Sequence, residues 1–365
     1  ISNYAPVNRQ YYLLQKFLED YYRINKEESW GDTIPIPQKG YRLGDSLPEI
    51  ALIKHKLRLL GDFYEPDSSH IFTDSLKVAV MRFQFRHGLT EDGVAGKQFI
   101  QQLNEPPVNR IRQILINMER LRWVPEEPET DFLLVNIPEY KLHVYEEGVH
   151  KFNMNVVVGQ AQHNTVIFTG NLKYIVFSPY WNIPSGILGN EIIPAQRRNP
   201  YYLRNHNMEV VQGTTVIDPA TINWSQYNGK NFPYMIRQRP GADNSLGRVK
   251  FLFPNEYNIY LHDTPAKSLF GESTRAFSHG CIRLSEPAKL AQFLLRNDSS
   301  WNEARIDSAM LSEVQKYVTL KDPVPVFIGY FTTWVDGKGK LHFRKDIYKH
   351  DEKMAEKMFT SSASL

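Results

Sequence analysis

The stretch Ser278-His279-Gly280-Cys281-Ile282-Arg283 is the part of the sequence around which the chain is organised. It contains the only cysteine among 365 residues. Gly280 has no Cβ atom, so it permits a tight turn directly before Cys281. A thiol attacks as its thiolate, and a histidine within hydrogen-bond reach can take the thiol proton. The stretch therefore predicts a nucleophile on a turn, with a histidine as its base.

Two histidines are candidates for that base. His279 lies two residues before Cys281, and residues two apart share a face in an extended chain. His262 follows the apolar run Tyr257-Asn258-Ile259-Tyr260-Leu261, which is predicted to be a strand. A residue at the end of that strand can meet the cysteine from a neighbouring strand, so we interpret His262 as the base.

The backbone of the same stretch is predicted to stabilise an oxyanion. The amides of Gly280 and Cys281 could point at one spot and donate to the oxyanion. Each such donor stabilises the transition state by about 3 kcal/mol. Arg283 offers a planar guanidinium suited to a carboxylate. Two alternatives are weaker. A buried structural cysteine is common in proteins, and a zinc site lacks support because no Cys-x-x-Cys or His-x-x-x-His spacing is present.

Composition limits the class of protein. Apolar residues make up 42% of the chain, which is long enough for two or three domains. A net charge of +3 gives no support for nucleic-acid binding. No apolar run reaches the roughly 18 residues of a membrane span, and no signal-like segment is present. Because the chain starts with Ile1, we expect a processed or trimmed form.

The N-terminal part of the chain has a helical pattern. Residues 1–40 are predicted to hold a scaffold helix and a linker, and residues 106–129 a second scaffold helix. Between them, residues 41–105 are predicted to form a compact unit of three helices, with turns at Gly61-Asp62 and Gly88-Leu89. We expect the two scaffold helices to pack together, which makes the three-helix unit an insertion.

From residue 130 the pattern changes to the period of two that is typical of strands. Residues 130–330 are predicted to form one β-rich domain, a sandwich or a barrel-like sheet. Within it, about 185–240 is rich in loops and is interpreted as a cap over a cleft. A polar helix is expected within 301–320, a strand at 323–330, and a hairpin with a helix in 331–365.

Two regions of the chain resemble known families. His262, the stretch Ser278 to Arg283, Trp181-Asn182-Ile183-Pro184 and the segment 240–247 are similar to the L,D-transpeptidase (YkuD) catalytic domain. Residues 41–105 resemble a peptidoglycan-binding domain, through Leu59-Leu60-Gly61, His87-Gly88-Leu89 and Asp92-Gly93-Val94-Ala95-Gly96. The whole chain resembles the large periplasmic L,D-transpeptidases of Gram-negative bacteria. The expected fold class is α+β: a β-rich catalytic domain with a long cap insertion, a small three-helix domain and flanking scaffold helices.

The resemblance implies a reaction and its residues. Cys281 would attack the bond between the third and fourth residues of a tetrapeptide stem, release D-Ala and leave a thioester. The amine of a diaminopimelate in a second stem would then form a 3→3 cross-link. His262, His279 and Gly280 would join Cys281 in catalysis. Further substrate-binding or supporting roles fall to Arg283, Ser278, Tyr260, Trp181 and Asn182.

The resemblance also implies partners and a compartment. The partners are peptidoglycan stem peptides and glycan, carbapenem-type β-lactams as covalent inhibitors, and cell-wall synthesis enzymes, with no nucleic acid, metal or cofactor. The expected compartment is the periplasm, and an anchor on a missing N-terminal segment stays open. Three alternative functions also stay open: an L,D-carboxypeptidase, a lipoprotein-attaching transpeptidase and a non-catalytic wall-binding protein. Either the Asp263 side chain or its backbone could orient His262.

Overall fold

A computed structural model describes residues 8–27, 30–124 and 128–359. The chain divides into two compact units. Unit 1 comprises residues 1–128, 136–139 and 330–365, and unit 2 comprises residues 129–135 and 140–329. Across the described ranges, no helix is both long and apolar enough to cross a membrane.

The helices and strands are numbered along the chain. The helices are α1 (Arg9–Lys26), α2 (Pro48–Leu59), α3 (Asp74–Arg86), α4 (Lys97–Leu103), α5 (Pro107–Leu121), α6 (Ser185–Ile187), α7 (Ile193–Arg198), α8 (Tyr202–Asn205), α9 (Pro287–Leu295), α10 (Glu303–Leu311) and α11 (His350–Phe359). The strands are β1 (Phe132–Asn136), β2 (Lys141–Glu146), β3 (Val149–Gly159), β4 (Phe168–Phe177), β5 (Trp181–Asn182), β6 (Met208–Gln212), β7 (Thr215–Ile217), β8 (Met235–Gln238), β9 (Val249–Leu252), β10 (Leu261–His262), β11 (Ala276–Ser278), β12 (Ile282–Leu284), β13 (Lys316–Gly329), β14 (Thr333–Val335) and β15 (Leu341–Phe343). The described part of the chain also contains four 3-10 helices (Ile137–Glu139, Pro219–Thr221, Trp224–Gln226, Lys267–Gly271) and a π-helix (Leu188–Ile192).

Helices α2, α3 and α4 form the predicted three-helix arrangement in unit 1. Their apolar faces share one buried core, which includes Ile53, Leu57, Val80, Phe83 and Phe99. The Thr73 hydroxyl caps α3 by accepting a hydrogen bond from the Leu76 amide. The chain turns after α2 and α3 at glycines with positive φ, as the sequence predicts.

The scaffold helices α1 and α5 pack against each other in unit 1, as predicted. Their shared core also takes in the C-terminal hairpin β14–β15, which the sequence did not indicate. Leu14, Ile114, Val335, Leu341 and Phe343 are buried together there. Residues from both ends of the chain therefore build one hydrophobic core.

Unit 2 is built on a nine-stranded sheet with the order β11-β3-β12-β10-β9-β4-β13-β1-β2. Because β2 also pairs with β3, the sheet curves back on itself as a barrel-like structure. Strand β13 begins at Lys316, where a polar helix was expected up to residue 320; helix α10 ends at Leu311. Tyr317, Val318 and Thr319 favour strand geometry, and they pair with β4.

The segment predicted as a cap has a core of its own. Strands β5, β8, β6 and β7 form a small sheet, and α6 to α8 lie between β5 and β6 in the chain. Its buried side chains are Ile183, Leu188, Ile192, Ile193, Leu203, Val210, Ile222 and Ile236. The cap is thus a small folded subdomain within unit 2 rather than a loop.

Candidate active site

The site lies where the short strand β10 is held between β9 and β12. Leu261 pairs with Ile282 in a parallel register and with Phe251 in an antiparallel one. The predicted strand over 257–261 is wrong except at its last residue. Asn258 has a φ of 54°, which breaks extended geometry, and the Asn255 side chain donates to the Ile259 carbonyl. This loop places His262 at the sheet.

His262 is buried, with 4% of its surface exposed. Its Nδ1–H donates to the Asp263 carbonyl at 2.5 Å, which leaves Nε2 as the free acceptor nitrogen. Burial, and next the charge of Arg283, lower the pKa of His262 to about 3. The imidazole is therefore neutral and has the tautomer that a general base needs.

The Asp263 carboxylate does not orient the histidine. It accepts a hydrogen bond from the Arg248 amide at 2.8 Å and forms an ion pair with Lys267 at 2.5 Å. Gly247 lies against the same carboxylate, because a Cβ atom at that position would come within 2.3 Å of it. The question that the sequence left open is therefore answered in favour of the backbone carbonyl.

The turn before Cys281 is held by Ser278. The Ser278 hydroxyl donates to the Cys281 carbonyl at 2.5 Å and accepts from the Gly280 amide at 3.1 Å. Gly280 has a φ of 115°, a conformation that glycine adopts without strain. Its amide is engaged by Ser278, so the prediction that it is free to join an oxyanion hole is not met in this structure.

A threonine that the sequence reading missed supports the same turn. Thr165 is buried, and its hydroxyl donates to the Gly280 carbonyl at 2.8 Å while accepting from the Gly159 amide at 2.9 Å. The hydroxyl therefore links the end of β3 to the cysteine turn. The sequence carries no signal for this contact, because Thr165 lies in a loop and its acceptor Gly280 is 115 residues away.

Cys281 is partly buried, and its thiol donates to the Asn258 carbonyl with 3.6 Å between sulfur and oxygen. Burial raises the pKa of the thiol, whereas hydrogen bonds from the Tyr260 backbone and side chain act in the opposite direction. Burial, followed by the charge of Cys281, raises the pKa of Tyr260, so its phenol keeps the proton that it donates. Tyr260 thus contacts the Cys281 thiol, and its predicted supporting role stays a prediction.

The other predicted residues lie in different places. His279 is exposed, stacks on His163 with ring centroids 5.0 Å apart, and lies 3.7 Å from Glu191 of the cap. Trp181 and Asn182 form β5 and pair with β8, so they belong to the cap sheet. No hydrogen bond joins either of them to the site within the described ranges.

Two cations flank the buried histidine. Arg283 on β12 and Lys250 on β9 are the register partners of His262. Arg283 was predicted from its motif, but Lys250 was missed. The sequence marks Lys250 only by its place between two apolar residues, in Val249-Lys250-Phe251. A lysine in such a run suggests a charged side chain that is partly shielded from solvent.

Comparison with known families identifies two regions. Residues 130–326 match the family YkuD, described as "L,D-transpeptidase catalytic domain". Residues 46–103 match PG_binding_1, described as "Putative peptidoglycan binding domain". The first match covers more than half of the chain and contains every residue of the site described above.

Individual relatives agree with the family matches. A "Putative L,D-transpeptidase" of Haemophilus influenzae is 34% identical over 247 residues, covering 67% of this chain and 49% of the relative. The chain therefore spans about half the length of this curated relative. L,D-transpeptidase structures from Stackebrandtia nassauensis and Xylanimonas cellulosilytica are each 14% identical. Each match covers 81% of this chain. The Stackebrandtia match covers 98% of that structure's chain with a TM-score of 0.29, and the Xylanimonas match covers 99% of its chain with a TM-score of 0.25. Such scores establish no shared arrangement of the whole chain.

Proposed function

Because the chain belongs to the YkuD family of L,D-transpeptidase catalytic domains and carries a peptidoglycan-binding domain, we propose that it cross-links peptidoglycan stems through an acyl-thioester on Cys281. The observation that carries the proposal is the neutral His262. Its Nδ1–H is fixed by the Asp263 carbonyl, so Nε2 is free on the strand next to the only cysteine.

In the first half of the proposed reaction, His262 Nε2 takes the thiol proton. The Cys281 sulfur attacks the carbonyl carbon between the third and fourth residues of a donor stem, and an oxyanion forms. His262 then gives the proton to the amine of D-Ala as the carbon–nitrogen bond breaks. The products of this half are free D-Ala and a thioester.

The second half reverses these roles. The side-chain amine of a diaminopimelate in another stem loses a proton to His262 and attacks the thioester carbonyl. The carbon–sulfur bond breaks, and the proton returns to the Cys281 sulfur. The product is a 3→3 cross-link, and the proton count is balanced over the cycle.

The oxyanion needs donors in both halves of this reaction. The Cys281 amide has no internal acceptor in the described contacts, and the Tyr260 phenol lies at the sulfur. We assign these two groups to the oxyanion, with the Gly280 amide joining only if it leaves Ser278. Carbapenem acylation follows the same path: sulfur attacks the lactam carbonyl, the carbon–nitrogen bond opens, and the nitrogen takes the proton.

The proposed substrate places the enzyme in the periplasm, where peptidoglycan lies. The small domain supports this placement because its family is named for binding the same polymer. Stem peptides, glycan and other cell-wall synthesis enzymes are the partners that this function implies.

The deciding experiment is mass spectrometry of products formed from a diaminopimelate-containing disaccharide-tetrapeptide, with Cys281→Ala as the control. We expect a cross-linked dimer lacking one D-Ala, absent with the variant. Tripeptide alone would identify water as the acceptor and an L,D-carboxypeptidase. If neither the wild type nor the variant forms the dimer, and no thioester is found on Cys281, the proposal is contradicted and a wall-binding protein is favoured.

A further inference from the structure

Three charged or titratable side chains form a row across three strands. Lys250 on β9 and Arg283 on β12 are each directly opposite His262 on β10. Residues at matching register positions of neighbouring strands project from the same face of a sheet. The buried histidine is therefore flanked on both sides by a cation, and Cys281, two residues before Arg283, lies on that face as well.

Neither cation of this row has an acidic partner among the residues that the structure describes. The Arg283 Nε atom is buried without a hydrogen-bond acceptor, and Lys250 takes part in no ion pair. Burial lowers the pKa of both groups, and the charge that acts against this effect is that of the Cys281 thiolate. Both side chains are half-buried, so each has a desolvation cost that no ion pair offsets.

Two other buried cations of this chain have ion pairs. Lys54 has an ion pair with Asp67 at 2.5 Å, and Arg86 has one with Asp62. Lys56 and Arg110 are also buried and have no ion pair within the described part of the chain, but each donates to an amide oxygen, of Asn104 and Gln102 respectively. Lys250 and the Arg283 Nε atom differ because the described residues give them no such acceptor.

We propose that Lys250 and Arg283 form a carboxylate site, in which a free carboxylate of the donor peptide lies between the two cations beside His262. The inference rests on the proposed function for the identity of the donor. Two carboxylates of that donor have the right chemistry: the C-terminal carboxylate of the fourth residue, and the free side-chain carboxylate of diaminopimelate. Arg283 supplies a planar fork and Lys250 a point charge, as in other two-cation carboxylate sites.

The site has a consequence for the base. Arg283 and Lys250 both oppose a positive charge on His262, as does Lys267 on the following 3-10 helix. Lys267 is already paired with Asp263, whereas the other two are not. A bound carboxylate offsets their charge, so His262 can accept the thiol proton more readily when a donor is present. Lys250 thereby couples donor binding to activation of the nucleophile.

Alkylation of the single cysteine tests the site without any transpeptidase assay. Iodoacetate and iodoacetamide both form one carbon–sulfur bond and release iodide, and they differ only in the carboxylate. We expect the iodoacetate-to-iodoacetamide rate ratio to fall about tenfold in Lys250→Met and to be retained in Lys250→Arg. Lys173→Met, an exposed lysine on β4, serves as the matched control and keeps the wild-type ratio. An unchanged ratio in Lys250→Met would overturn the proposal.

A second measurement needs no variant and covers the case in which Lys250→Met does not fold. N-acetyl-D-alanine is expected to slow alkylation of wild-type Cys281 by iodoacetamide several-fold, whereas N-acetyl-D-alaninamide is not. Equal protection by the two compounds would contradict a carboxylate site.

Donor tetrapeptides then distinguish the two carboxylates. One peptide carries a C-terminal carboxamide and another an amidated diaminopimelate side chain, and D-Ala or D-alaninamide release is measured against the free acid. We expect one amidation to lower kcat/KM at least tenfold in the wild type and to have little effect in Lys250→Met. Release that is insensitive to both amidations would overturn the carboxylate site while leaving the proposed function intact. No release from any donor, with the alkylation ratio as expected, would contradict the proposed function and still support the site.

Discussion

Two different features of its surroundings fix the state of His262. The Asp263 carbonyl sets the tautomer, and burial keeps the ring neutral. Cys281 is in turn held by a glycine whose φ of 115° other residues rarely adopt. The chemistry of the site therefore depends on backbone atoms at least as much as on side chains.

Replacing Gly280 with alanine tests the backbone requirement. There is room for a methyl group, since the nearest atom to a Cβ, the Asn164 carbonyl oxygen, is 3.8 Å away. The strain of the positive φ should still cost about 1–3 kcal/mol and displace the nucleophile, with a loss of activity of roughly 100-fold. D-Ala release and a thermal melt measure the two effects. Gly271→Ala, which has open space and no positive φ, should behave as the wild type.

The buried neutral His262 predicts a pH dependence of stability. Its folded pKa of about 3 lies below the unfolded value, so the unfolded chain binds more protons between pH 6.5 and 3. This contribution to the free energy of unfolding is fully present above pH 6.5 and is lost as the pH falls. Between pH 6.5 and 4.5 the loss is roughly 2–3 kcal/mol.

Urea unfolding at the two pH values measures that loss. His262→Gln should lose less stability than the wild type between them, and His279→Gln, which replaces an exposed histidine, should lose as much as the wild type. The same loss in all three proteins would contradict the assignment.

At the scale of elements, the site depends on how the ends of strands are tied together. β10 has only two residues, and β12 has three, so the sheet alone cannot hold the cysteine turn. The Thr165 hydroxyl provides an additional link between the end of β3 and Gly280. The loop after β3 is thus part of the structure that holds the cysteine turn.

Thr165→Val should weaken this link without changing the shape of the side chain. The Gly159 amide would lose its hydroxyl partner, and the Gly280 carbonyl would lose a donor. We expect a loss of about 1–3 kcal/mol in stability, together with slower alkylation of Cys281 by iodoacetamide. Denaturation and alkylation rates measure both effects, and Thr165→Ser, which keeps the hydroxyl, is the control. Unchanged alkylation in Thr165→Val would show that the link does not position the nucleophile.

The sequence was most informative where structure is local. Helices α2, α3 and α5 follow periodic apolar residues and turn glycines, so their positions could be predicted. The motif around Cys281 likewise predicted a tight turn at Gly280, which the structure contains, and the role of Cys281 as the nucleophile stays a prediction. The contact of Thr165 could not be predicted, because its acceptor Gly280 lies 115 residues further along the chain. The positions of Lys250 and the Asp263 carbonyl beside His262 depend on strand register and ring orientation, which the sequence does not specify. The prediction of a free Gly280 amide was wrong because the amide donates to the Ser278 hydroxyl. Ser278 belongs to the same motif, but the sequence does not show which way its hydroxyl points.

At the scale of the whole molecule, unit 1 is assembled from distant parts of the chain. Residues before 129 and after 329 share one core, while the catalytic family match ends at residue 326. A family boundary is therefore not a folding boundary here. This feature could not be derived from periodicity, because a hairpin of three-residue strands gives no sign of what it packs against.

A chain that ends at Gly329 should lose the stability of unit 1. The deletion removes Val335, Leu341 and Phe343, each of which contributes about 1.5–3 kcal/mol through burial. We expect rapid proteolysis within α1 and α5, measured by limited trypsin digestion. A chain that ends at Phe359 keeps these side chains and is the control. Equal resistance of both chains would contradict the shared core.

The small domain should contribute to binding of the intact cell wall. Its surface has a shallow cavity of about 280 Å³ beside the exposed Tyr64, whose ring lies 4.9 Å from the Arg82 guanidinium. Such a platform suits a sugar ring, so Tyr64→Ala should reduce co-sedimentation with insoluble peptidoglycan several-fold. Tyr317→Ala, a similarly exposed tyrosine on β13, is the control. Equal sedimentation of both variants and the wild type would assign binding to another surface.

The solitary thiol also limits the working life of the molecule. Peroxide converts a thiolate to a sulfenic acid, which other proteins rescue by forming a disulfide with a second cysteine. This chain has no second cysteine to resolve it. Its sulfenic acid therefore depends on an external reductant, and in the absence of one a second equivalent of peroxide oxidises it to the irreversible sulfinic acid. The burial that raises the pKa of Cys281 slows the first step, so the same feature that delays attack on substrate prolongs survival under oxidative stress.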